Sequence, residues 1–427
     1  MSNFFGLEKS EYKTEILAGL TTFFTMSYII ILIPQLLSQA GMPAAAVFTA
    51  SLLLIGIVNI FMGLFSNLPF ALAPYMGDII LIVYTLVPMG YSWREISAIY
   101  LIMGFALILM TVFKFRLNFM DSLPESFKLA FTGGLGICLL FSGLKNCGII
   151  DYKDNLLSLS LLNLNDYHIW LGVIGLGFIL LLDRLKVKMS IIIGLVVLTV
   201  LGVLIKDTDF PSQILSLPPS LSPVLFKCDF LDIFSQKMIT LFFMLFLLVN
   251  TELHGSIVSV MMKFRADDFF KLQKSINRTL YVDSFSTTAA ASVGIPATGV
   301  YVDSVTGIMS GGKTGLTSVV VGVMFLLSLL ISPLFSIVPS YAYASLLLYI
   351  GSLLLRTVKE MKYHDVTEYL PFLLTLAVIL FTLNLGFSMA CAFILYPLTK
   401  LVFRRANEVP KEFWLFTVLS LVFFIIK

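Results

Sequence analysis

Long apolar runs alternate with short polar segments along almost the whole chain. Runs of about 20 residues, enough for a helix to cross a hydrocarbon core of roughly 30 Å, recur from Ile16 to Leu401. Their approximate positions are 15–38, 44–67, 69–88, 94–114, 124–147, 168–185, 188–206, 237–262, 275–293, 295–311, 314–338, 340–356, 366–384 and 386–404. This pattern predicts an all-α polytopic membrane protein with 14 transmembrane segments.

Two of these passages, the third and the tenth, are interrupted by helix-breaking residues. Pro69 and Pro74 interrupt the third passage, and Gly294, Pro296 and Gly299 interrupt the tenth. Proline removes a backbone donor and clashes with the preceding helical turn, and membranes tolerate such broken backbone only where protein or a cavity covers it. Each passage is therefore predicted to begin as a short extended segment and to continue as a half-helix.

The two halves of the chain carry related features in the same order. Pro74 and Pro296 mark the broken passages, and Pro124 and Pro339 open the fifth and twelfth passages at a similar separation. Because seven spans is an odd number, the second copy of such a repeat enters the membrane upside down. We therefore predict two inverted seven-span repeats, a design that places the substrate site of a secondary transporter near the bilayer midplane.

Composition and charge support a membrane location and narrow the function. Hydrophobic residues make up 58% of the chain and charged residues 12%, against about 25% charged in soluble domains. The net charge of +3 gives no reason to expect nucleic-acid binding, and the four cysteines show no metal-ligand spacing, so no metal, cofactor or disulfide framework is predicted. Most Lys and Arg residues fall on one side of the 14-span topology, which places the N-terminus in the cytoplasm.

Four ionisable residues lie inside the apolar passages: Asp78, Glu252, His254 and Asp303. A charge near the bilayer centre costs at least a few kcal/mol, so such residues are candidates for function. Glu252 and His254 are two positions apart and point to different sides of one helix, so only one of them can face a common cavity directly. Desolvation favours the neutral form of a carboxylic acid, which makes Glu252, Asp303 and Asp78 candidate proton carriers. A buried acid that bonds a neighbouring helix is the alternative for Glu252, and a helix cap or an interhelical bond is the alternative for Asp78.

The polar groups around these acids suit a planar solute with alternating donors and acceptors. A half-helix beginning near Tyr301 would direct its free backbone N–H groups toward the bilayer centre. Asp303 would then either accept substrate N–H groups or cap its own helix. The predicted substrate-binding residues are Glu252, Asp303, Val302, Tyr301, Thr298, Tyr75, Gly77 and Asp78. The residues expected to support them from behind are His254, Asp283 and Asn250.

Several sequence blocks add a family resemblance that covers nearly the whole chain. They are AGLTTFFTMSY (18–28), NLPFALAP (67–74), MGYSW (89–93), GLKN (143–146), YVDS (301–304) and GGKTGLT (311–317). In this order they resemble the nucleobase:cation symporter (nucleobase–ascorbate transporter) superfamily, specifically its azaguanine/hypoxanthine/guanine/adenine permease branch. The resemblance implies proton-coupled nucleobase import across the bacterial inner membrane, with Glu252 and Asp303 at two acidic substrate-contact positions, and it suggests a homodimer.

The resemblance also implies a domain organisation. A core domain would combine spans 1–4 (1–121) with spans 8–11 (230–338), and a gate domain would combine spans 5–7 (122–229) with spans 12–14 (339–405). The remainder, 406–427, would be a C-terminal interfacial segment. Its apolar part, 413–426, has only 14 residues, so an interfacial helix is favoured over a fifteenth crossing.

The site departs from the branch at several positions. The branch usually has Asp in span 8 and Glu in span 10, whereas this chain has Glu252 and Asp303. Its Gly-Met-Gly-Leu-Asn pattern is replaced by YMGDI at 75–79, so Asp78 lies one position before the usual Asn and Tyr75 stands where Gly is usual. Fold and transport class are expected to survive these changes, whereas the identity of the base is left open.

Three functions can be compared on these observations. The leading one is a secondary active transporter, not an enzyme, that imports a purine (guanine, hypoxanthine or adenine) by proton symport as the core moves against the gate in an elevator or rocking motion. Carriers of uracil, xanthine or an anion on the same fold are alternatives, although Glu252 and Asp303 would repel an anion. The remote alternative is an intramembrane aspartyl protease using Asp78 and Asp303, but those enzymes lack a seven-plus-seven repeat.

Overall fold

The computed structural model describes residues 5–8, 11–113, 124–153, 156–159, 166–187, 189–211, 213–231, 233–261, 264, 269–361, 363–383 and 385–426. The helices of the first half are α1 (Glu11–Met26), α2 (Ile29–Gln39), α3 (Ala44–Ser66), α4 (Met76–Leu81, continued by a π-helical turn at Ile82–Leu86), α5 (Trp93–Val112), α6 (Glu125–Asn146), α7 (Tyr167–Arg184) and α8 (Ser190–Leu204). Those of the second half are α9 (Gln236–Met261), α10 (Phe269–Ser292), α11 (Ser304–Met309), α12 (Gly315–Ser328), α13 (Ser332–Ser336), α14 (Ser340–Arg356), α15 (Val366–Thr382), α16 (Leu385–Val402) and α17 (Lys411–Ile426). The strands are β1 (Leu72–Pro74), β2 (Ile150–Lys153), β3 (Leu156–Leu159) and β4 (Thr298–Val300).

The helix bounds follow the apolar passages closely, with two differences. The first passage is divided at Ser27–Tyr28 into α1 and α2, at a point without Pro or Gly. The segment between α6 and α7, which falls between two predicted spans, contains the antiparallel hairpin β2–β3. Conversely, Pro34, Pro371 and Pro397 lie inside helices.

Eight helical stretches within the described residues are long and apolar enough to cross a membrane, judged by length and composition, and four more are apolar but shorter. The interrupted passages 3 and 10 cannot meet such a length criterion, because each is built from a strand and a short helix. The mostly helical, polytopic membrane architecture is therefore confirmed, whereas the count of 14 crossings stays a prediction.

Contacts divide the chain into two compact units. Unit 1 comprises Met1–Leu123 and Ser216–Ser332, and unit 2 comprises Pro124–Leu215 and Pro333–Ile425. The assignment of core and gate roles to parts of the chain remains a prediction.

Unit 1 is built from matched packing between the two halves of the chain. α3 packs on α12 and α5 packs on α10, while α1 packs on the short helix α11 and α9 packs on the short helix α4. An inverted repeat of seven spans relates α3 to α10 and α5 to α12, so it exchanges the first two of these packed pairs. It likewise relates α1 to α9 and α4 to α11 and so exchanges the other two pairs. The packing of unit 1 therefore has the two-fold relationship that the sequence repeat predicts.

Glycine allows the closest of these crossings. A Cβ atom added to Gly315 at the start of α12 would lie 1.9 Å from the carbonyl oxygen of Gly63 in α3. Nearby, Asn67 ends α3 in a left-handed conformation, and its side-chain oxygen accepts a 2.9 Å hydrogen bond from the Gly315 N–H. Small residues at helix crossings let backbones approach, which is a main source of attraction between helices in lipid.

A buried acid fixes the start of α12 to α1. The Glu15 carboxylate accepts hydrogen bonds from the N–H groups of Lys313 (2.8 Å) and Thr314 (3.1 Å) and from the Thr317 hydroxyl (2.5 Å). These bonds satisfy backbone groups that would otherwise be left without partners at a helix start.

Unit 2 is centred on the pair α6 and α14, with α15 and α16 packed beside them and α7 against α14. Lys400 of α16 is buried and forms ion pairs with Glu368 (2.7 Å) and Glu408 (2.9 Å). The C-terminal helix α17 packs into this unit through Phe413, whose ring contacts Phe127 and Phe393. Whether α17 crosses the membrane or lies at its surface stays a prediction.

Candidate substrate site

The two broken passages meet inside unit 1 as a pair of short antiparallel strands. β1 and β4 align Leu72 with Val300, Ala73 with Gly299 and Pro74 with Thr298. Two further backbone bonds extend the pairing: the Tyr75 N–H donates to Ala297 (2.9 Å) and the Tyr301 N–H donates to Ala71 (2.8 Å). Segments from opposite halves of the chain therefore form one element.

Side chains satisfy the remaining backbone groups around these strands. The Asn59 amide donates to the Leu72 carbonyl (2.7 Å) and accepts from the Leu72 N–H (2.8 Å). The Ser304 hydroxyl accepts from the Ala71 N–H (2.9 Å), and the Tyr301 hydroxyl donates to the Pro74 carbonyl (3.0 Å). Extended backbone inside a membrane requires such internal partners, so this small sheet is a rigid support for the helices that follow it.

Asp303 lies at the start of the half-helix α11. Its backbone occupies the N-cap position, but its side chain makes no capping hydrogen bond to that helix. Instead, one carboxylate oxygen lies 3.5 Å from the hydroxyl of Tyr28, at the break between α1 and α2. The Asp303 side chain keeps part of its surface exposed, and the neighbouring Val302 is 50% exposed. The Asp303 carboxylate therefore faces the Tyr28 hydroxyl and does not cap its own helix.

Glu252 reaches the other half-helix from α9. Its carboxylate accepts a hydrogen bond from the Gly77 N–H in the first turn of α4, and it is close enough to Asp78 to interact electrostatically. The second carboxylate oxygen has no hydrogen-bond partner among the described residues. Glu252 and Asp303 both interact electrostatically with Tyr301, and we refer to Asp78, Glu252, Tyr301 and Asp303 together as the cluster.

The remaining predicted residues differ in how they reach this cluster. Tyr75 is buried with its ring against Gly299, where an added Cβ would lie 1.7 Å from the Tyr75 hydroxyl. Thr298 is buried and its hydroxyl bonds that of Ser286. Asp78 is fully buried, whereas Glu252 and Asp303 are partly exposed.

The structure describes the side chains of two of the three residues that were expected to support the site. Asn250 is buried and donates to the Phe246 carbonyl of its own helix (2.7 Å). Asp283 is buried in α10, next to Ser284, whose hydroxyl lies 3.1 Å from that of Thr111 in α5. The side chain of His254 lies outside the described part of the structure.

Two tyrosines that the sequence analysis did not single out lie next to the cluster. Tyr28 meets Asp303, and Tyr100 of α5 lies beside Asp78 and interacts with Glu252 as well. A phenol inside an apolar passage is the signal that could have indicated them, but most such residues serve only to fill space. Within the described residues, no group of three His, Cys, Asp or Glu side chains is arranged to hold a metal ion.

Comparison with known proteins identifies the family to which this chain belongs. The sequence model of the Permease family matches residues 13–391. The chain belongs to the nucleobase–ascorbate transporter family. It is 34% identical to the adenine permease AdeQ of Escherichia coli over 93% of this chain and 89% of that protein. It is 30% identical to the guanine/hypoxanthine permease PbuG of Bacillus subtilis over the whole of both chains.

Solved structures show the same fold at low sequence identity. The transmembrane domain of the cyanobacterial bicarbonate transporter BicA has a TM-score of 0.66 at 15% identity, covering 90% of this chain and 98% of that domain. SLC26A9 has a TM-score of 0.67 at 15% identity, covering 93% of this chain and 66% of that protein. These structures have the inverted-repeat fold. The family member described here is therefore an integral membrane transporter and not an enzyme.

Proposed function

We propose that this family member is a secondary active transporter that imports a purine nucleobase together with protons. The observation that carries the proposal is the pairing of β1 with β4 from opposite halves of the chain, with Glu252 and Asp303 both interacting electrostatically with Tyr301, the residue that follows β4. Relatives that match over most of their length are permeases for adenine or for guanine and hypoxanthine. A nucleobase presents N–H donors that two such acceptors can bind.

Substrate recognition is assigned to the residues of the cluster and those next to it on the two broken passages. Asp303 and Glu252 would accept N–H groups of the base, while Val302, Tyr301 and Thr298 from the β4–α11 segment and Tyr75 and Gly77 from the β1–α4 segment would shape the cavity. Backbone N–H groups at the starts of the two half-helices would serve carbonyl oxygens of the base.

Proton coupling is assigned to the same acids. A carboxylate that gains a proton in an apolar site loses its charge, which removes the main cost of moving it through the membrane. Uptake of a base together with a proton would drive an elevator or rocking motion of the core domain against the gate domain. We further propose an inner-membrane location with a cytoplasmic N-terminus, and a homodimeric assembly.

A smaller base is a second candidate, favoured by one observation. The Tyr75 ring covers Gly299 at the strand pair. It occupies space that would be empty if residue 75 were a glycine. A cavity reduced in this way suits a pyrimidine such as uracil better than a bicyclic purine.

A competition panel distinguishes these substrates. Cells lacking their own nucleobase carriers would express the protein, and uptake of labelled adenine, guanine, hypoxanthine, xanthine and uracil would be measured at an acidic and an alkaline external pH. We expect saturable purine uptake that is faster at acidic pH, that collapses with a protonophore and that does not require sodium. Uptake of uracil alone would favour the smaller base, and uptake of none would contradict the proposal.

Glu252→Gln tests the coupling role directly. The amide keeps the shape of the side chain but cannot carry a proton, so we expect accumulation against a gradient to be abolished while some binding remains. Ser259→Ala is the matched control and should retain accumulation, because Ser259 is exposed in the same helix and its hydroxyl donates to the Gly255 carbonyl of that helix (2.6 Å). Unchanged pH-dependent uptake in Glu252→Gln would remove this role from Glu252.

A further inference from the structure

An apolar groove opens on the surface of unit 1 near the starts of α5 and α9. Its lining includes Ile99 and Ile102 of α5, Met238 and Phe242 of α9, and Phe234 of the loop before α9. The groove has a volume of about 150 Å³, and every side chain that lines it within the described part of the chain is apolar. The residues of the cluster are not among them, so this groove is distinct from the candidate substrate site.

Backbone hydrogen bonds hold the rim of the groove in place. The Asp229 N–H donates to the Arg94 carbonyl at the start of α5 (3.1 Å), which ties the loop before α9 to α5. The Ser235 hydroxyl accepts from the Met238 N–H (3.3 Å), which fixes the first turn of α9. Phe234 stands between these two attachments, so it is held at the rim although it is 89% exposed.

The groove continues an exposed apolar face of α5, a helix long and apolar enough to cross the membrane. This face consists of residues that recur at intervals of three or four, namely Ile102, Phe105, Leu109 and Val112, and all of them are exposed. An apolar face of a membrane-spanning helix that the rest of the chain leaves uncovered is in contact with lipid. Ile102 belongs both to this face and to the lining of the groove, so the groove opens toward lipid.

An apolar space of this size selects an apolar guest. Cavities of about 150 Å³ lined by Leu, Ile and Phe stay dry and take up apolar molecules. A nucleobase would have no partners in the groove for its N–H and carbonyl groups, and an unpaired buried polar group costs free energy. The apolar guest that the surrounding membrane supplies is the acyl chain of a lipid. The volume is about five times the 30 Å³ that one water molecule occupies, so it holds a short stretch of chain and not a headgroup.

We propose that this groove binds an acyl chain of a membrane phospholipid. Both helices begin on the outer side of the membrane in the predicted topology, so the lipid belongs to the outer leaflet. The chain fills the space between α5 and α9 and thereby supports the packing of these two helices, which carry Tyr100 and Glu252. The inference goes beyond the proposed transport function and does not depend on the identity of the cargo.

Fluorescence quenching in proteoliposomes locates the groove relative to lipid. In a variant whose three native tryptophans are replaced by phenylalanine, one tryptophan is introduced at a time: Phe234→Trp at the rim, Phe105→Trp on the lipid-facing side of α5, or Leu217→Trp between α8 and α9. Phe234 and Leu217 are 89% and 87% exposed, so exposure alone predicts the same surroundings for both. With phospholipids brominated on their acyl chains, we expect Phe234→Trp to lose as much emission as Phe105→Trp, whereas aqueous acrylamide should quench Leu217→Trp instead. Quenching of Phe234→Trp that follows Leu217→Trp, or quenching by neither agent, would overturn the inference.

Lipid retention distinguishes a bound chain from general contact with lipid. Ile102→Trp places a large ring in the groove, whereas Phe105→Trp, the matched control, places the same ring on the same face of α5 outside the groove. After a delipidating detergent wash, mass spectrometry of the intact protein should show one phospholipid fewer on Ile102→Trp than on the unsubstituted protein, and no loss on Phe105→Trp. Equal retention by all three proteins, or retention of a free fatty acid in place of a phospholipid, would contradict the proposed site. Because no substrate is present, this result is independent of the proposed transport function.

Discussion

At the scale of single residues, the partners of each acid decide what it can do. Asp303 occupies the N-cap position before α11 but bonds Tyr28 instead of its own helix, so capping does not account for it. Glu15, in contrast, uses both carboxylate oxygens to hold the start of α12. Two acids of one unit thus differ in their bonding: Glu15 accepts three hydrogen bonds at a helix start, whereas Asp303 accepts one from the Tyr28 hydroxyl and makes no capping bond.

Asp303→Asn should weaken substrate binding. The substitution replaces one acceptor oxygen by a donor, and hydrogen bonds to charged groups contribute about 1.5–3 kcal/mol each, so we expect the apparent KM to rise roughly tenfold or more. Tyr28→Phe removes the hydroxyl beside Asp303 but leaves the charge of Asp303 in place, so it should raise the KM less. Transport kinetics in membrane vesicles would measure both, and a normal KM in Asp303→Asn would leave Asp303 only a structural role.

Asp365, at the start of α15, gives a prediction about stability. Bonds from the Thr367 hydroxyl and N–H, with Arg405 close by, hold the pKa of Asp365 at about 2, below its usual range. Its contribution to stability is therefore complete above its unfolded-state pKa, near pH 4, and is lost only as the pH falls from there toward 2.

The corresponding test compares two substitutions in the detergent-solubilised protein. Asp365→Ala removes the cap and should lower the Tm, since such caps contribute about 0.5–2 kcal/mol, whereas Asp365→Asn keeps an acceptor for the Thr367 N–H and should lower it less. The difference between the unsubstituted protein and Asp365→Ala should be constant from neutral pH to about pH 5. A difference that grows or vanishes within that interval would contradict the assigned pKa.

At the scale of elements, the strand pair β1–β4 depends on one close contact. Gly299→Ala would place a Cβ atom 1.7 Å from the Tyr75 hydroxyl, so the tyrosine ring or the strand must move. We expect uptake to fall at least tenfold in this variant and to recover in part in the double variant Gly299→Ala/Tyr75→Ala, because contacting residues are coupled.

Gly177→Ala is the matched control for this pair. Gly177 lies in α7 and an added Cβ meets nothing within 4 Å, so uptake and stability should be unchanged or slightly improved. Full uptake by Gly299→Ala would contradict the close packing of the two strands. If uptake does not recover in the double variant, the Tyr75 side chain is not what obstructs the added Cβ atom.

The elements also show which features of the site local sequence can predict. Pro69, Pro74 and Pro296 indicated the broken passages, because chain breaks follow from the backbone alone. The same rule would wrongly break α2, α15 and α16, whose prolines are accommodated inside helices. Tyr28 and Tyr100 could not be predicted as partners of the acids, since only the packing of α1 on α11 and of α5 beside α4 and α9 brings the phenols to the carboxylates.

At the scale of the whole molecule, the 14-span topology remains to be tested. Leu217, which is 87% exposed between α8 and α9, and Tyr363, which is 49% exposed between α14 and α15, are separated by an odd number of predicted crossings. In a variant without native cysteines, Leu217→Cys should react with a membrane-impermeant maleimide in intact cells, and Tyr363→Cys only after permeabilisation. Labelling of both from the same side would make the count of crossings wrong.

Because Leu72 pairs with Val300, the strand pair can form only late in the synthesis of the chain. When β1 leaves the ribosome, the strand that satisfies its backbone groups has not yet been translated, so the nascent N-terminal half must wait in the membrane with an incomplete edge. Long-range pairing of this kind forms slowly and leaves an intermediate prone to misassembly. We therefore expect the edge of β1 to stay unpaired until residue 300 is translated, and truncation before β4 should yield a chain that is inserted but rapidly degraded.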